Sequence, residues 1–134
     1  MITKPTLITA FSAYQTTNGG KRTKRVAAVD GDRDGVPVIF GASPDKLEIE
    51  FKDEIEFIDV TVENDHYAVP AALSGMGWNT PDIRPFLDPT LKKHTYRFKL
   101  PAVTAGTLVF TTPGGAGFLR LYDISGFINK EIKL

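Results

Sequence analysis

Residues 96–127, YRFKLPAVTAGTLVFTTPGGAGFLRLYDISGF, contain three strand-like runs separated by turn chemistry. In the first run Tyr96, Phe98 and Leu100 alternate with basic residues, which is the period-2 pattern of a half-buried strand. Residues 103–110 form a second run that is rich in β-branched and apolar residues. The Pro-Gly-Gly sequence at 113–115 then breaks the chain before the third run. This pattern predicts that the last third of the chain is β-structure.

Asp123 follows Leu119 and Leu121 in the alternation of the third run, so the pattern assigns it to the same buried face. A buried carboxylate without a partner costs free energy. We therefore expect Asp123 to have a partner, and this residue is the first indication of a site.

The middle of the chain has the pattern of two further strands. Residues 47–51 alternate apolar and acidic side chains, and the charged residues 52–54 are predicted to turn the chain back. Residues 55–62 would form the return strand, in which the apolar phase shifts between Phe57 and Ile58. Such a phase shift predicts a β-bulge.

The remaining elements are shorter. Residues 6–14 are predicted to form a first strand, and residues 36–40 an edge strand because of Pro37. A single helical turn is expected near residues 71–73, and the chain has no convincing amphipathic helix. Short strands with regular Gly and Pro turns predict an all-β jelly-roll β-sandwich.

Composition sets the class of the protein. The chain has 134 residues, 42% hydrophobic and 24% charged, which predicts one globular domain over residues 1–134, with a core of about 6–128 and a short C-terminal tail. The formal net charge is zero, so neither nucleic acid binding nor attraction to an acidic membrane is indicated. No apolar run is long enough to insert into a membrane.

Two absences bear on the cellular setting. The chain has no cysteine, which excludes disulfides and thiolate chemistry. Its first residues lack the apolar core of a signal peptide, so we expect synthesis in a cytoplasm. A virion component released by lysis would share this profile, and so would an ordinary intracellular protein.

The irregular segment 63–93 is the candidate ligand-binding region. It is rich in proline and follows neither strand nor helix periodicity, and such segments usually have a function or form an interface. Its candidate ligand-binding residues are His66, Tyr67, Trp78, Asn79 and Arg84. Aromatic faces stack on sugar rings and polar neighbours bind hydroxyl groups. The alternative is that Trp78 packs in the core or in an interface.

Residues 30–35, DGDRDG, match the opening D-x-D-x-D-G of a calcium loop. The full EF-hand pattern fails, because the position that requires a bidentate glutamate is Gly41. The alternative is an acidic turn held by Asx-type hydrogen bonds, and both interpretations remain open at this point.

Catalytic motifs are weak throughout the chain. The sequence has no G-x-S-x-G elbow, and neither His66 nor His94 has a second metal ligand at suitable spacing. We therefore expect a protein that is not an enzyme.

Several segments, in their order along the chain, resemble the discoidin-like domains, also called coagulation-factor C-type or galactose-binding-like domains. The matching segments are AVDGD at 28–32, LEIEF at 47–51 with IDV at 58–60 as a central hairpin, LPAVTA at 100–105, LVF at 108–110 and LRLYDI at 119–124. The resemblance implies a β-sandwich that binds glycans, lipids or proteins and is rarely catalytic.

The resemblance also implies a structural Ca²⁺ ion. In many relatives the acidic turn and the last strand hold calcium, and the matching positions here are Asp30 and Asp123, with main-chain carbonyls from Ala27 and Gly35. Gly35 stands where relatives often have a threonine hydroxyl.

Three functions follow from these patterns. The first hypothesis is a non-catalytic structural or adsorption subunit of a larger assembly such as a phage virion, in contact with protein partners or with copies of itself. The alternative is a stand-alone carbohydrate-binding, lectin-like module. A glycan-active enzyme ranks third.

Overall fold

A computed structural model describes residues 2–17, 20–40, 45–64, 72–77, 93–112 and 119–132. In these ranges the elements are β1 (Ile2–Ile8), β2 (Ser12–Thr16), β3 (Arg22–Lys24), a 3-10 helix (Val26–Val29), β4 (Val38–Phe40), β5 (Asp45–Asn64), β6 (Ala72–Ser74), β7 (His94–Thr112) and β8 (Leu119–Ile132). No helix in the same ranges is long and apolar enough to cross a membrane.

In the described ranges the strands form one eight-stranded hydrogen-bonded sheet, which folds into two layers that share the long strands β5 and β7. The two layers are called sheet A and sheet B. Residues 45–51 of β5 pair with residues 106–112 of β7, and this half of the pair joins β2, β3 and β6 in sheet A. Residues 57–62 of β5 pair with residues 94–99 of β7, and this half joins β8, β1 and β4 in sheet B. All pairs are antiparallel. The predicted all-β sandwich is confirmed.

The turn predicted at residues 52–54, and with it the central hairpin, is wrong. β5 continues through these residues as one strand, Asp45–Asn64. Its register with β7 shifts between Phe51 and Ile55 and again between Ile55 and Phe57. Such irregularities bend a strand and increase its twist, so one strand can pass from sheet A into sheet B. The predicted bulge lies before Phe57, not after it.

β7 likewise joins two runs that the sequence pattern separates. Pairing with β5 passes from Thr104 to Lys99 and skips residues 100–103. Pro101 lies in this gap and is exposed, so its missing N–H leaves no bond to β5 unmade. The strand thus bends beside the bulge of β5.

The core lies between the two sheets. The predicted alternation of residues 47–51 is confirmed, because Leu47, Ile49 and Phe51 are buried and the two glutamates between them are not. Phe40 and Phe110 pack with ring centroids 5.3 Å apart. Tyr96 and Phe98 are partly buried against this core. Period-2 burial on one face of each strand is what a sandwich requires.

Three smaller expectations change. Residues 6–14 belong to two strands, β1 and β2, rather than one. The helical turn expected near residues 71–73 is wrong for residues 72 and 73, which lie in β6 and pair with β7. β1 pairs with β8 as far as Ile132, so paired structure extends beyond the predicted core limits of 6 and 128.

Candidate functional site

The acidic turn at residues 30–35 follows directly after the 3-10 helix. Asp30 Oδ1 accepts a hydrogen bond from the Asp32 amide at 2.9 Å, and Asp32 Oδ1 accepts one from the Asp34 amide at 2.9 Å. Gly31 has φ +86°, a backbone conformation that favours glycine. The Asx-type hydrogen bonds that the sequence analysis gave as one interpretation are confirmed, and they shape the turn from within.

This turn packs on the outer face of sheet B through three contacts. The Gly31 amide donates to Asp123 Oδ1 at 3.0 Å. Arg33 Nη2 lies 2.9 Å from Asp59 Oδ2, and Lys93 Nζ lies 2.7 Å from Asp34 Oδ1. The turn therefore joins β8, β5 and the start of β7.

Asp123 lies on the opposite face of β8 from Leu121, contrary to the predicted alternation. The register of β8 with β5 passes from Thr61–Asp123 to Val62–Leu121, which leaves Tyr122 as the extra residue of a β-bulge. Directly paired residues share a face of the sheet. Leu121 thus lies with Val62 on the core face, and Asp123 lies with Thr61 on the outer face.

The predicted partner of Asp123 exists. Its carboxylate is fully buried, and it accepts hydrogen bonds from the Ser125 hydroxyl and the Gly31 amide. Burial raises the pKa of Asp123, the two hydrogen bonds oppose that shift, and the negative charge of Asp30 adds to it. Asp123 is consequently a buried acid whose charge is only partly compensated.

Asp59 forms a second buried polar centre beside Asp123. Its side chain is 4% exposed and contacts both Arg33 and Arg97, at 2.9 Å each. Thr61 and Thr95 extend this face with a hydroxyl–hydroxyl hydrogen bond of 2.8 Å. Together these groups form a hydrogen-bonded polar layer between sheet B and the acidic turn.

Four residues at this site were not predicted from the sequence: Asp59, Arg33, Arg97 and Ser125. A signal was present: Asp59 is the only charged residue in the apolar and β-branched run 57–62. Like Asp123, a buried acid at position 59 needs a cation or a hydrogen-bond donor as its partner. The arginines could not be assigned to it, because they are 26 and 38 residues away in sequence.

The calcium ligands that the resemblance implies stay a prediction. Asp30 and Asp123 lie at the same junction, since the amide of Gly31, the residue after Asp30, donates to Asp123 Oδ1 at 3.0 Å. Ala27 lies in the 3-10 helix and Gly35 ends the turn. Among the described residues, no group of three or more His, Cys, Asp or Glu side chains could hold a metal. A calcium site here would combine two carboxylates with main-chain carbonyls. Such a set of oxygen donors suits this ion, and the site remains a prediction.

The predicted ligand-binding residues lie outside the described residues. They are His66, Tyr67, Trp78, Asn79 and Arg84. The described residues that flank them are Asn64, which ends β5, the segment 72–77, and Lys93 before β7. The predicted glycan-binding surface therefore remains a prediction.

Comparison with known proteins shows the fold. No protein-family model matches the chain, and no curated protein matches it by sequence. The family 32 CBM from C. perfringens NanJ, solved in complex with galactose, has a TM-score of 0.61 at 11% identity over 93% of this chain and 100% of that chain. The CBM32 of AlyQ, solved in complex with 4,5-unsaturated mannuronic acid, has a TM-score of 0.54 at 8% identity over 91% of this chain and 98% of that chain.

A truncated AlyQ with CBM32 and alginate lyase domains has a TM-score of 0.57 at 8% identity. This match covers 98% of the present chain and 35% of the AlyQ chain. At these identities the likeness concerns the fold and not the ligand. The chain has the discoidin-like, galactose-binding-like β-sandwich fold.

Proposed function

We propose that this chain is a non-catalytic carbohydrate-binding module. One observation supports this most: the chain matches a single CBM domain, that of NanJ, over 93% of its own length and 100% of that domain's length. The AlyQ CBM32 supports it in the same way. Both similar structures were solved in complex with a sugar or a sugar acid.

These likenesses favour the carbohydrate-binding alternative over the assembly subunit that the sequence analysis put first. No structure reported above is a virion or capsid protein. A role in an assembly stays a prediction, and so does self-association. Glycan-active catalysis remains the third hypothesis.

We assign glycan contact to the segment between β5 and β7. Tyr67 and Trp78 supply aromatic faces for the apolar side of a sugar ring, while His66, Asn79 and Arg84 supply donors for its hydroxyl groups. Weak single contacts of this kind gain strength when several copies act together.

The test is a glycan array probed with the whole chain, followed by titration of any saccharide that binds. Trp78→Ala should abolish that binding. Phe11→Ala is the matched control, because Phe11 is 60% exposed, lies outside the proposed site and should be dispensable. Silence of the parent chain on the array would reject the carbohydrate proposal and return the assembly subunit to first place.

Calcium belongs to the same proposal as a structural ion. Asp30 and Asp123, with the carbonyls of Ala27 and Gly35, would hold it between the acidic turn and β8. When bound, the ion would neutralise the two carboxylates and stabilise the folded state by linkage. The raised pKa of Asp123 supports this, because a buried acid beside a second acid gains from a nearby cation.

A further inference from the structure

A groove of about 270 Å³ lies on the outer face of sheet B, next to the polar layer, with which it shares Arg97. Its lining residues are Glu56, Phe57, Arg97, Lys99 and Asn129. They come from three neighbouring strands, β5, β7 and β8, so the sheet itself holds them in place. Pockets for drug-sized ligands are usually about 300–1,000 Å³, and this volume suits a smaller, single-ring ligand.

The base of the groove is aromatic. Phe57 and Phe127 are paired across β5 and β8, with ring centroids 5.3 Å apart and planes inclined by 12°. Leu7 pairs with Phe127 in the next strand and is 44% exposed. An apolar row thus crosses sheet B beside the groove. Phe57 is only 5% exposed beneath Arg97, so the open part of this row is Phe127 and Leu7, and that part suits the C–H face of a sugar ring.

One wall of the groove is cationic. Lys99 pairs with Phe57 across the strands and is exposed. Arg97 lies over the Phe57 ring at 4.3 Å, while its Nε and Nη2 donate to Asp59. The positive charge of Arg97 is therefore partly balanced. Lys99 has no hydrogen-bond or ion-pair partner in the ranges that the structure describes.

The opposite wall carries hydrogen-bond acceptors. Asn129 Nδ2 donates to Glu56 Oε2 at 2.9 Å. This bond orients both side chains and leaves Glu56 Oε1 and Asn129 Oδ1 to accept hydrogen bonds from hydroxyl groups. A ligand with its negative charge on this side would be repelled by Glu56. Its charge must therefore face Lys99.

We propose that this groove binds a uronic acid residue, a sugar ring with a carboxylate substituent. The ring lies against the open part of the apolar row, its hydroxyl groups donate to Glu56 and Asn129, and its carboxylate pairs with Lys99. The two walls thus fix the orientation of the ligand. This is a second site, and it does not depend on Trp78 or on the proposed glycan array result.

The test is a titration of the ¹⁵N-labelled whole chain with glucuronic acid and, separately, with glucose, followed by amide chemical shifts. Glucuronic acid should shift amides at residues 56–57, 97–99 and 129. It should bind roughly two- to fivefold more tightly than glucose, because an ion pair with an exposed lysine contributes little. Added salt should weaken the binding of glucuronic acid and leave the binding of glucose unchanged.

Two variants test whether Lys99, rather than any exposed lysine, binds the carboxylate. Lys99→Gln should lower the affinity for glucuronic acid roughly two- to fivefold, to that of glucose. Lys46→Gln is the matched control, since Lys46 is an exposed lysine on sheet A with Glu48 as its partner at 3.4 Å, and it should leave the affinity unchanged.

Three results would overturn the proposal: no shift at the groove, equal affinity for both sugars, or no effect of Lys99→Gln. Glucuronic acid that binds only in the segment containing Trp78 would reject this groove and leave the proposed function intact. Conversely, Trp78→Ala should remove array binding without changing the shifts at residues 97–99.

Discussion

Arg97 holds Asp59 through two contacts across neighbouring strands of sheet B. Arg97 Nε lies 2.9 Å from Asp59 Oδ1, and Arg97 Nη2 lies 3.2 Å from Asp59 Oδ2. Arg33 contacts the same carboxylate from the acidic turn at 2.9 Å. Asp59 raises the pKa of Arg97, mainly through the hydrogen bond. One buried acid therefore fastens the turn to the sheet.

Asp59→Asn should lower the free energy of unfolding by about 2 kcal/mol, since charge-assisted hydrogen bonds are worth about 1.5–3 kcal/mol. The loss stays moderate because both arginines are half-exposed and remain solvated when the charge is removed. Urea unfolding measures the change. Glu48→Gln is the control, and it should cost less than about 1 kcal/mol, because its ion pair with Lys46 is exposed. Equal losses in both variants would contradict the assignment.

Gly126→Ala should destabilise the fold by about 1–3 kcal/mol through overpacking. A Cβ at Gly126 would lie 2.8 Å from Phe51 Cε1 and 2.9 Å from Ile55 Cγ2, in the packed core. Thermal unfolding measures the effect. Gly35→Ala is the control, because its nearest neighbour is the carboxylate end of Asp32 at 3.1 Å, which can move. A Gly126→Ala protein as stable as the parent would show that the core has more space here than the structure indicates.

Asp123→Asn should change the pH dependence of stability. The pKa of Asp123 is raised in the folded state. The contribution of Asp123 to the free energy of unfolding is therefore complete below the unfolded pKa of about 4, and it is lost as the pH rises through the folded pKa. In chelator, the stability of the variant should therefore rise relative to that of the parent as the pH increases across this window. Urea unfolding between pH 3 and 7, about one unit below the unfolded pKa to well above it, measures the difference.

Asp34→Asn is the control of opposite sign. The hydrogen bond and charge of Lys93 lower the pKa of Asp34, so its contribution is present above the unfolded pKa and lost as the pH falls through the folded pKa. The stability of the Asp34→Asn variant should fall relative to that of the parent as the pH rises. Identical pH profiles for the two variants would show that the buried setting of Asp123 does not control its titration.

Calcium should raise the unfolding midpoint of the parent, and chelator should lower it, because an ion that binds only the folded state stabilises it by linkage. Asp30→Ala should abolish the response. Asp53→Ala is the matched control, since Asp53 is an exposed acid of β5 outside the acidic turn, and it should retain the response. A parent midpoint that is the same in calcium and in chelator would dismiss the ion.

The sandwich could be predicted because its local patterns are strong. The alternation of residues 47–51 and 96–100 shows which face of each strand is buried, and both assignments are confirmed. The continuous strand through residues 52–54 could not be predicted, and the turn predicted there is wrong. Charged residues are as compatible with an exposed bulged strand as with a turn, and only pairing with β7 decides between them.

The candidate site, like the fold, could be predicted from the sequence only in part. The need of Asp123 for a partner follows from its sequence pattern, but the identity of that partner does not. Gly31 lies 92 residues away in sequence, and the two meet because the acidic turn packs on sheet B. The face of Asp123 was assigned wrongly, because one extra residue, Tyr122, reverses the alternation without any local signal.

The sequence by itself determined the β-class, the buried faces of residues 47–51 and 96–100, the acidic turn, and the requirement that a buried acid be paired. These depend on side-chain periodicity and on bonds between neighbours in the chain. Only the tertiary structure decided the course of β5 and β7 through both sheets, the polar layer around Asp59, and the groove beside Lys99. These depend on strand register, and register is set by contacts between residues far apart in sequence, which no local pattern records.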